Sequence, residues 1–265
     1  MNINDLKDIL DDICIPGLAE SWDNSGYQIK IHDGDIKKIM VAMEITDAVI
    51  DEAVSLSADV IVTHHPLIFA PVKEISNDNI PGRYITKLIQ NKISVISEHT
   101  NFDKVDGGNN DYIGKLLGIG NIRYLGDDEG YCRTGSFDEP VALKEIAHLI
   151  SERFDIDESF FHIIGDPNRK IKSIAWCSGA GSEFIVLAAS KGVDLFITGD
   201  VKYHTAQMAS ELGISVIDAG HYGTEIIFVD NMAALLSESA KKSKMEIEIV
   251  KSSVDINPYR RVEDI

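Results

Sequence analysis

The sequence predicts an α/β fold of two related units, each a mainly parallel sheet covered by helices. Three observations lead there. Short apolar segments rich in Ile and Val alternate with stretches of helical periodicity. That order implies parallel pairing, because parallel neighbours need a crossover between them. The first half of the chain recurs in the second. And 44 % of the 265 residues are hydrophobic, enough for a sizeable core.

Each element follows from its local pattern. Ile3, Leu6, Ile9, Leu10 and Ile13 fall on one face of a helix over 3–13, with Asn4 as its expected cap. Trp22-Asp23-Asn24-Ser25-Gly26 reads as loop. Residues 36–45 form a buried strand, and Thr46-Asp47 opens a helix to Leu56. Asp59–Thr63 is the next strand, stopped by His64-His65-Pro66. Pro81 starts a helix, 93–97 is a strand and 111–117 is helical.

Sliding the chain by 135 residues lays IKKI (36–39) on IKSI (171–174) and DVIVT (59–63) on DLFIT (194–198), with 8 identities in the 28 pairs from 36 to 63. ISVI at 93–96 returns at 214–217, an offset of 121. The join between halves is expected in the Gly/Asp/Glu-rich stretch between Gly120 and Pro140, dividing the chain into 1–128 and 129–265. MEIEIV from Met245 alternates like an edge strand that packs back on either unit.

Composition excludes several functions. The formal net charge of −18 is unfavourable for nucleic-acid binding or an anionic membrane surface, which need clustered cations. No apolar run approaches the ~20 residues that span a bilayer. Three well-separated cysteines form no CxxC pair, which fits buried thiols in a reducing compartment. A cytoplasmic protein is the expectation.

Three strand ends carry the chemistry. DVIVT runs into His64-His65, ISVIS into Glu98-His99-Thr100-Asn101-Phe102-Asp103, and ISVID into Gly220-His221-Tyr222-Gly223-Thr224-Glu225. Ligands of open parallel sheets bind beyond the carboxyl ends of strands. Adjacent residues of extended chain point to opposite sides, so His64 and His65 are expected to serve one ion each. His221 and Glu225, four apart, share one face of a helix start, from which Glu225 can bridge two ions. Asp103 adds a further oxygen. A nitrogen/oxygen donor set without thiolate suits Zn, Fe, Mn, Co or Ni, and a pair of such ions is suited to hydrolysis. His99 and His204 are the candidate proton carriers, with His99 also able to orient Asp103 or a water. Gly199 and Asp200 replace His64 and His65 in the second copy, which predicts one site per chain. SGAGS (178–182) reads as a tight turn in preference to a phosphate cradle, because it lacks GxGxxG spacing and a P-loop lysine. His32, His148 and His162 belong to no constellation.

WDNSGYQI (22–29), THHPLIF (63–69), SEHTNFD (97–103) with GGNND (107–111), TGDVKYH (198–204) and AGHYGTE (219–225) together resemble the NIF-three-like family, often described as GTP cyclohydrolase 1 type 2 homologues. The match runs in order over residues 5–250. It departs at Tyr27, where the family more often has Leu. The resemblance implies two interlinked α/β units with a di-metal cleft between them. It implies metal ligation by His64, His65, Asp103, His221 and Glu225, with Glu225 bridging. It also implies ring-shaped hexamers and a small-molecule ligand. The function it implies is hydrolysis of a small nucleotide-like or cyclic-amide substrate. Metal or metallocofactor delivery and a ring-shaped scaffold are the alternatives without turnover.

Overall fold

The computed structural model describes residues 1–31, 34–126 and 129–261. His32 and the Asp127-Asp128 pair of the acidic join lie outside the described residues. The chain forms two compact units, one of Met1–Val105 together with the chain from Phe228 onward, the other of Asp106–Ile227.

In chain order, the first unit begins with α1 (Ile3–Cys14), β1 (Gly26–Ile29), β2 (Lys38–Ala42), α2 (Asp47–Leu56), β3 (Val60–Thr63), α3 (Ile80–Gln90), β4 (Ser94–Ser97) and α4 (Thr100–Lys104). The second unit follows with α5 (Asn109–Leu116), β5 (Gly120–Tyr124), β6 (Arg133–Ala142), α6 (Leu143–Phe154), β7 (His162–Ile164), β8 (Lys170–Trp176), α7 (Ile185–Ser190), β9 (Leu195–Thr198), α8 (Tyr203–Leu212), β10 (Ser215–Asp218) and α9 (His221–Glu225). The chain then returns to the first unit with α10 (Phe228–Lys242) and β11 (Glu248–Lys251).

The α/β class holds in both units. The first sheet has the order β1-β4-β3-β2-β11, parallel except for β1. The second has the order β5-β6-β8-β9-β10-β7, and only its β8-β9-β10 centre is parallel. Its antiparallel margins depart from the mainly parallel expectation. They come from β5, β6 and β7, none of which has the apolar run of a doubly covered strand.

The unit boundaries also differ from the 128/129 division read from the sequence. β5 pairs with β6, which keeps residues before 128 in the second unit. At the other end, α10 buries Phe228, Met232 and Leu236, and β11 pairs in parallel with β2. The alternating tail is therefore an edge strand of the first sheet.

The internal repeat extends into details that identity alone does not reveal. Ile39 faces Val60 and Ile174 faces Leu195, equivalent registers 135 residues apart. The Asp59 carboxylate accepts from the N–H groups of Lys37 and Lys38 at 2.7 and 3.0 Å. Asp194 does the same for Lys172 and Ser173 at 3.1 and 2.9 Å. Each copy also ends on an antiparallel neighbour, Gly26 beside Ser97 and His162 beside Asp218.

Two local readings are corrected. The cap of α1 is Asn2, not Asn4: its side chain accepts from Asn4 and Asp5 N–H, and Asp5 reaches back to Asn2 N–H in a capping box. The loop after Trp22 gives way at Gly26 (φ 107°) to β1, whose Gly-Tyr-Gln-Ile has no apolar run to mark it. Tyr27 donates its hydroxyl to Ile3 carbonyl at 3.0 Å and so ties β1 to α1.

Candidate metal centre

In the first unit, Thr63 at the end of β3 pairs with Ser97 at the end of β4, so both histidine-bearing loops leave the sheet side by side. The two hydroxyls are hydrogen bonded at 2.7 Å, and the Thr63 hydroxyl donates to His65 carbonyl at 2.9 Å. The N–H groups of His64 and His65 both donate to Met43 carbonyl, at 3.0 and 2.9 Å. This turn overrides the opposite-sides expectation: the rings lie together, 5.2 Å between centroids and tilted by 35°. His64, His65 and His99 offer nitrogens within 4.8 Å of one another.

Each ring is oriented through Nδ1. His64, fully buried against Phe228, has Nδ1 3.0 Å from Glu98 carbonyl, and its Nε2 faces Asp103 Oδ1 at 3.7 Å. His65 Nδ1 lies 3.4 Å from Glu44 Oε2. His99 Nδ1 lies 2.8 Å from Asp23 Oδ1. Burial raises the pKa of the Asp23 carboxyl, but hydrogen bonds from His99, Ser25 and Thr100 outweigh it and hold the group well below the usual carboxylate range. Glu98 is the opposite case. Burial pushes it up to about 7, against the lowering effects of Lys7 and of the hydrogen bond from Asn101.

In the second unit, Gly220 (φ 80°) turns the chain from β10 into α9. His221 and Glu225 then share one face, as their spacing predicts, with Nε2 2.9 Å from Glu225 Oε2. His221 Nδ1 lies 2.9 Å from Asp200 Oδ2. Asp200 stands at the repeat position of His65. There the second copy has a carboxylate, and it faces the His221 ring.

Two glycines make room for this pair. A Cβ on Gly179 (φ 63°) would lie 2.1 Å from Glu225 Oε1, and one on Gly199 would lie 2.5 Å from His221 N. SGAGS is thus the tight turn expected. Gly179 and Gly181 N–H donate to Thr224 and Thr198 hydroxyls, both at 2.9 Å, and Ser178 N–H to Asn110 Oδ1 at 2.9 Å. Those donors are committed and do not cradle a phosphate. His204 sits exposed on the first turn of α8, with Tyr203 as its ring neighbour at 5.3 Å.

The donor set fits divalent cations. His221 stands between two carboxylates, and His64 between a carbonyl and a carboxylate. An imidazole with Nδ1–H on one acceptor and Nε2 turned toward another calls for a positive charge at Nε2. An acceptor on the far nitrogen is the usual orienting arrangement of metal-bound histidine.

Sequence reasoning did not assign orienting roles to Asp23, Glu44 and Asp200. Asp23 and Asp200 lie in quoted motifs, WDNSG and TGDVKYH, and that was their available signal.

The family model for Duf34/NIF3 (NGG1p interacting factor 3) matches residues 1–258. The chain belongs to the DUF34/NIF3 family. Its DUF34/NIF3 relatives include the GTP cyclohydrolase 1 type 2 homolog of Clostridium acetobutylicum, 35 % identical over 98 % of each chain. Another is the protein of the same name from Streptococcus pneumoniae, 36 % identical over 94 % of this chain and 95 % of that one. Among solved structures, a Staphylococcus aureus hypothetical protein superposes with a TM-score of 0.92, at 28 % identity over 99 % of both chains. No helix among the described residues is long and apolar enough to cross a membrane.

Proposed function

We propose that this DUF34/NIF3 protein is a metal-dependent hydrolase of a small nucleotide-like or cyclic-amide substrate. In this reading His64, His65, Asp103, His221 and Glu225 would together hold two divalent ions, and the protein would work as a ring-shaped hexamer. The observation that carries it is the orientation of the imidazoles: Nδ1 of His64, His65 and His221 is engaged by a protein oxygen, which leaves Nε2 as the ligand atom. The name of the relatives, GTP cyclohydrolase 1 type 2 homolog, supports the hydrolytic class.

Divalent ions held there would supply Lewis-acid chemistry of the kind hydrolysis needs. The chain does the rest. Asp23, ionised across the neutral range, accepts Nδ1–H of His99, fixes its tautomer and leaves Nε2 to take a proton from the attacking water and return it to the leaving group. His204 is the second candidate proton carrier. A triphosphate is poorly served, because Arg83 is paired with Asp47 at 2.7 Å and the net charge is −18.

The test is turnover by metal-loaded protein over nucleosides, nucleotides, pterins and phosphoesters. His65→Ala is expected to lose metal and at least 100-fold in rate, roughly the scale of losing a catalytic metal's contribution. Unchanged turnover in that variant would exclude the mechanism. The delivery alternative predicts metal lost to a chelator within minutes, and metal retained for hours excludes it.

A further inference from the structure

We infer that Trp22 and Phe69 form an aromatic corner for a planar heteroaromatic ring, Trp22 as its stacking face and Phe69 as its edge-on wall, beside His99. Both residues are 57 % exposed. Their ring centroids are 6.0 Å apart at 63°, and each lies 6.4 Å from the His99 ring, at 78° and 81°. Three rings thus meet at one corner of the first unit.

The corner is built, not incidental. Asn24 Nδ2 donates to Ile68 carbonyl at 2.6 Å, Ile68 N–H donates to Gln28 Oε1 at 3.0 Å, and Gln28 Nε2 donates to Asn24 carbonyl at 2.5 Å. This clasp joins the residues flanking Trp22 to those flanking Phe69, and Gln28 is itself buried within it. Asp23, between Trp22 and the clasp, accepts from Thr100 hydroxyl at 2.6 Å and Ser25 hydroxyl at 2.7 Å as well as facing His99. Two large apolar rings are therefore kept in water by a rigid polar frame. That frame removes the ordering cost a ligand would otherwise meet.

The geometry selects the ligand class. A cage for an ammonium group needs rings that stand apart around a cavity. Here the rings pack edge to face on one another at ordinary aromatic contact distance. The two planes meet at 63°, so a flat π-system stacked on the Trp22 face meets Phe69 as an edge-on wall, and a flat ring fills that corner best. A nucleobase-like or pterin-like ring placed there has its polar edge at His99. The inference adds the substrate's binding surface to the hydrolase reading and rests on that reading only for the role of His99.

The chain contains two tryptophans, and Trp176 is fully buried, so Trp22 is a natural reporter. Guanosine and adenosine are expected to quench Trp22 emission saturably, whereas ribose and choline are not. Equilibrium dialysis of guanosine is expected to show about a tenfold loss of affinity in Phe69→Leu, on the scale of one lost aromatic contact, and near wild-type binding in Phe69→Tyr. Melting curves of both variants establish that they are folded. Absence of saturable quenching, equal quenching by choline, or equal affinity of Phe69→Leu and Phe69→Tyr would overturn the inference. Because no readout is turnover, quenching without hydrolysis sinks only the hydrolase reading. Hydrolysis abolished by His65→Ala but without quenching sinks only this one.

Discussion

Asp200 and Glu98 show how single side chains without a place in the proposed ligand set shape it. Asp200 holds Nδ1 of His221 and occupies the left-handed region (φ 55°), where Asp is tolerated better than most residues. Asp200→Asn keeps the shape but weakens the hold on Nδ1–H. Metal affinity is expected to fall about tenfold, the lower end for an orienting partner, as read by chelator competition. Glu98 sets a pH dependence. Its pKa in the folded chain, about 7, lies above its ordinary value of 4.5, so the folded state favours the protonated acid. The sign follows: this contribution is fully present below pH 4.5 and is lost as pH rises toward 7. Glu98→Gln removes the charge while keeping an acceptor for Asn101. Metal-free wild type is therefore expected to lose melting temperature relative to Glu98→Gln between pH 4.5 and 7, with a constant gap above. A gap that does not change with pH would refute the assignment. In the sequence, Asp200 registered only as a missing ligand and Glu98 only as a neighbour of His99, because orientation is a property of pairs distant in the chain.

Elements explain why the candidate ligands were legible. β3, β4 and β10 each end in a fixed turn, and their short apolar runs followed by His or acidic residues are visible in the sequence. What periodicity could not supply was the direction of His65. That depends on a backbone turn around Met43 carbonyl, a residue outside the motif. β1 and β7 were missed because Gly-Tyr-Gln-Ile and His-Ile-Ile lack the buried apolar run that marks the equally short β3, β4 and β10. The glycine turn before α7 was legible as a turn but not as a support for Glu225. Gly179→Ala is expected to displace that carboxylate, since backbone strain at φ 63° and a 2.1 Å encounter act together. Metal content should drop at least tenfold, the scale of a lost ligand or its support. Its circular dichroism should match wild type, and full metal retention would show that Glu225 is not a ligand.

For the whole molecule, the sequence conveyed the repeat and the number of units but not how the chain is shared between them. The two parallel centres, β2-β3-β4 and β8-β9-β10, follow from apolar strands at matching offsets. The sharing depends on α10 and β11 returning to the first sheet, and an alternating tail fits either edge equally well. The proposed hexamer belongs to this scale. Sedimentation velocity of purified protein is expected to give one species of six chains, and a monomer at micromolar concentration would count against the ring.

The return of β11 to β2 has a consequence for how the protein is made. Asp106–Ile227 is an uninterrupted stretch that can finish folding while still near the ribosome. The earlier-synthesised body must wait for residues 248–251 to emerge from the exit tunnel. Until then the backbone donors and acceptors along Ile39, Met40 and Val41 stand open to any passing extended peptide. A nascent chain that stalls or is clipped just short of its last strand is therefore the form most prone to clump and most in need of a chaperone.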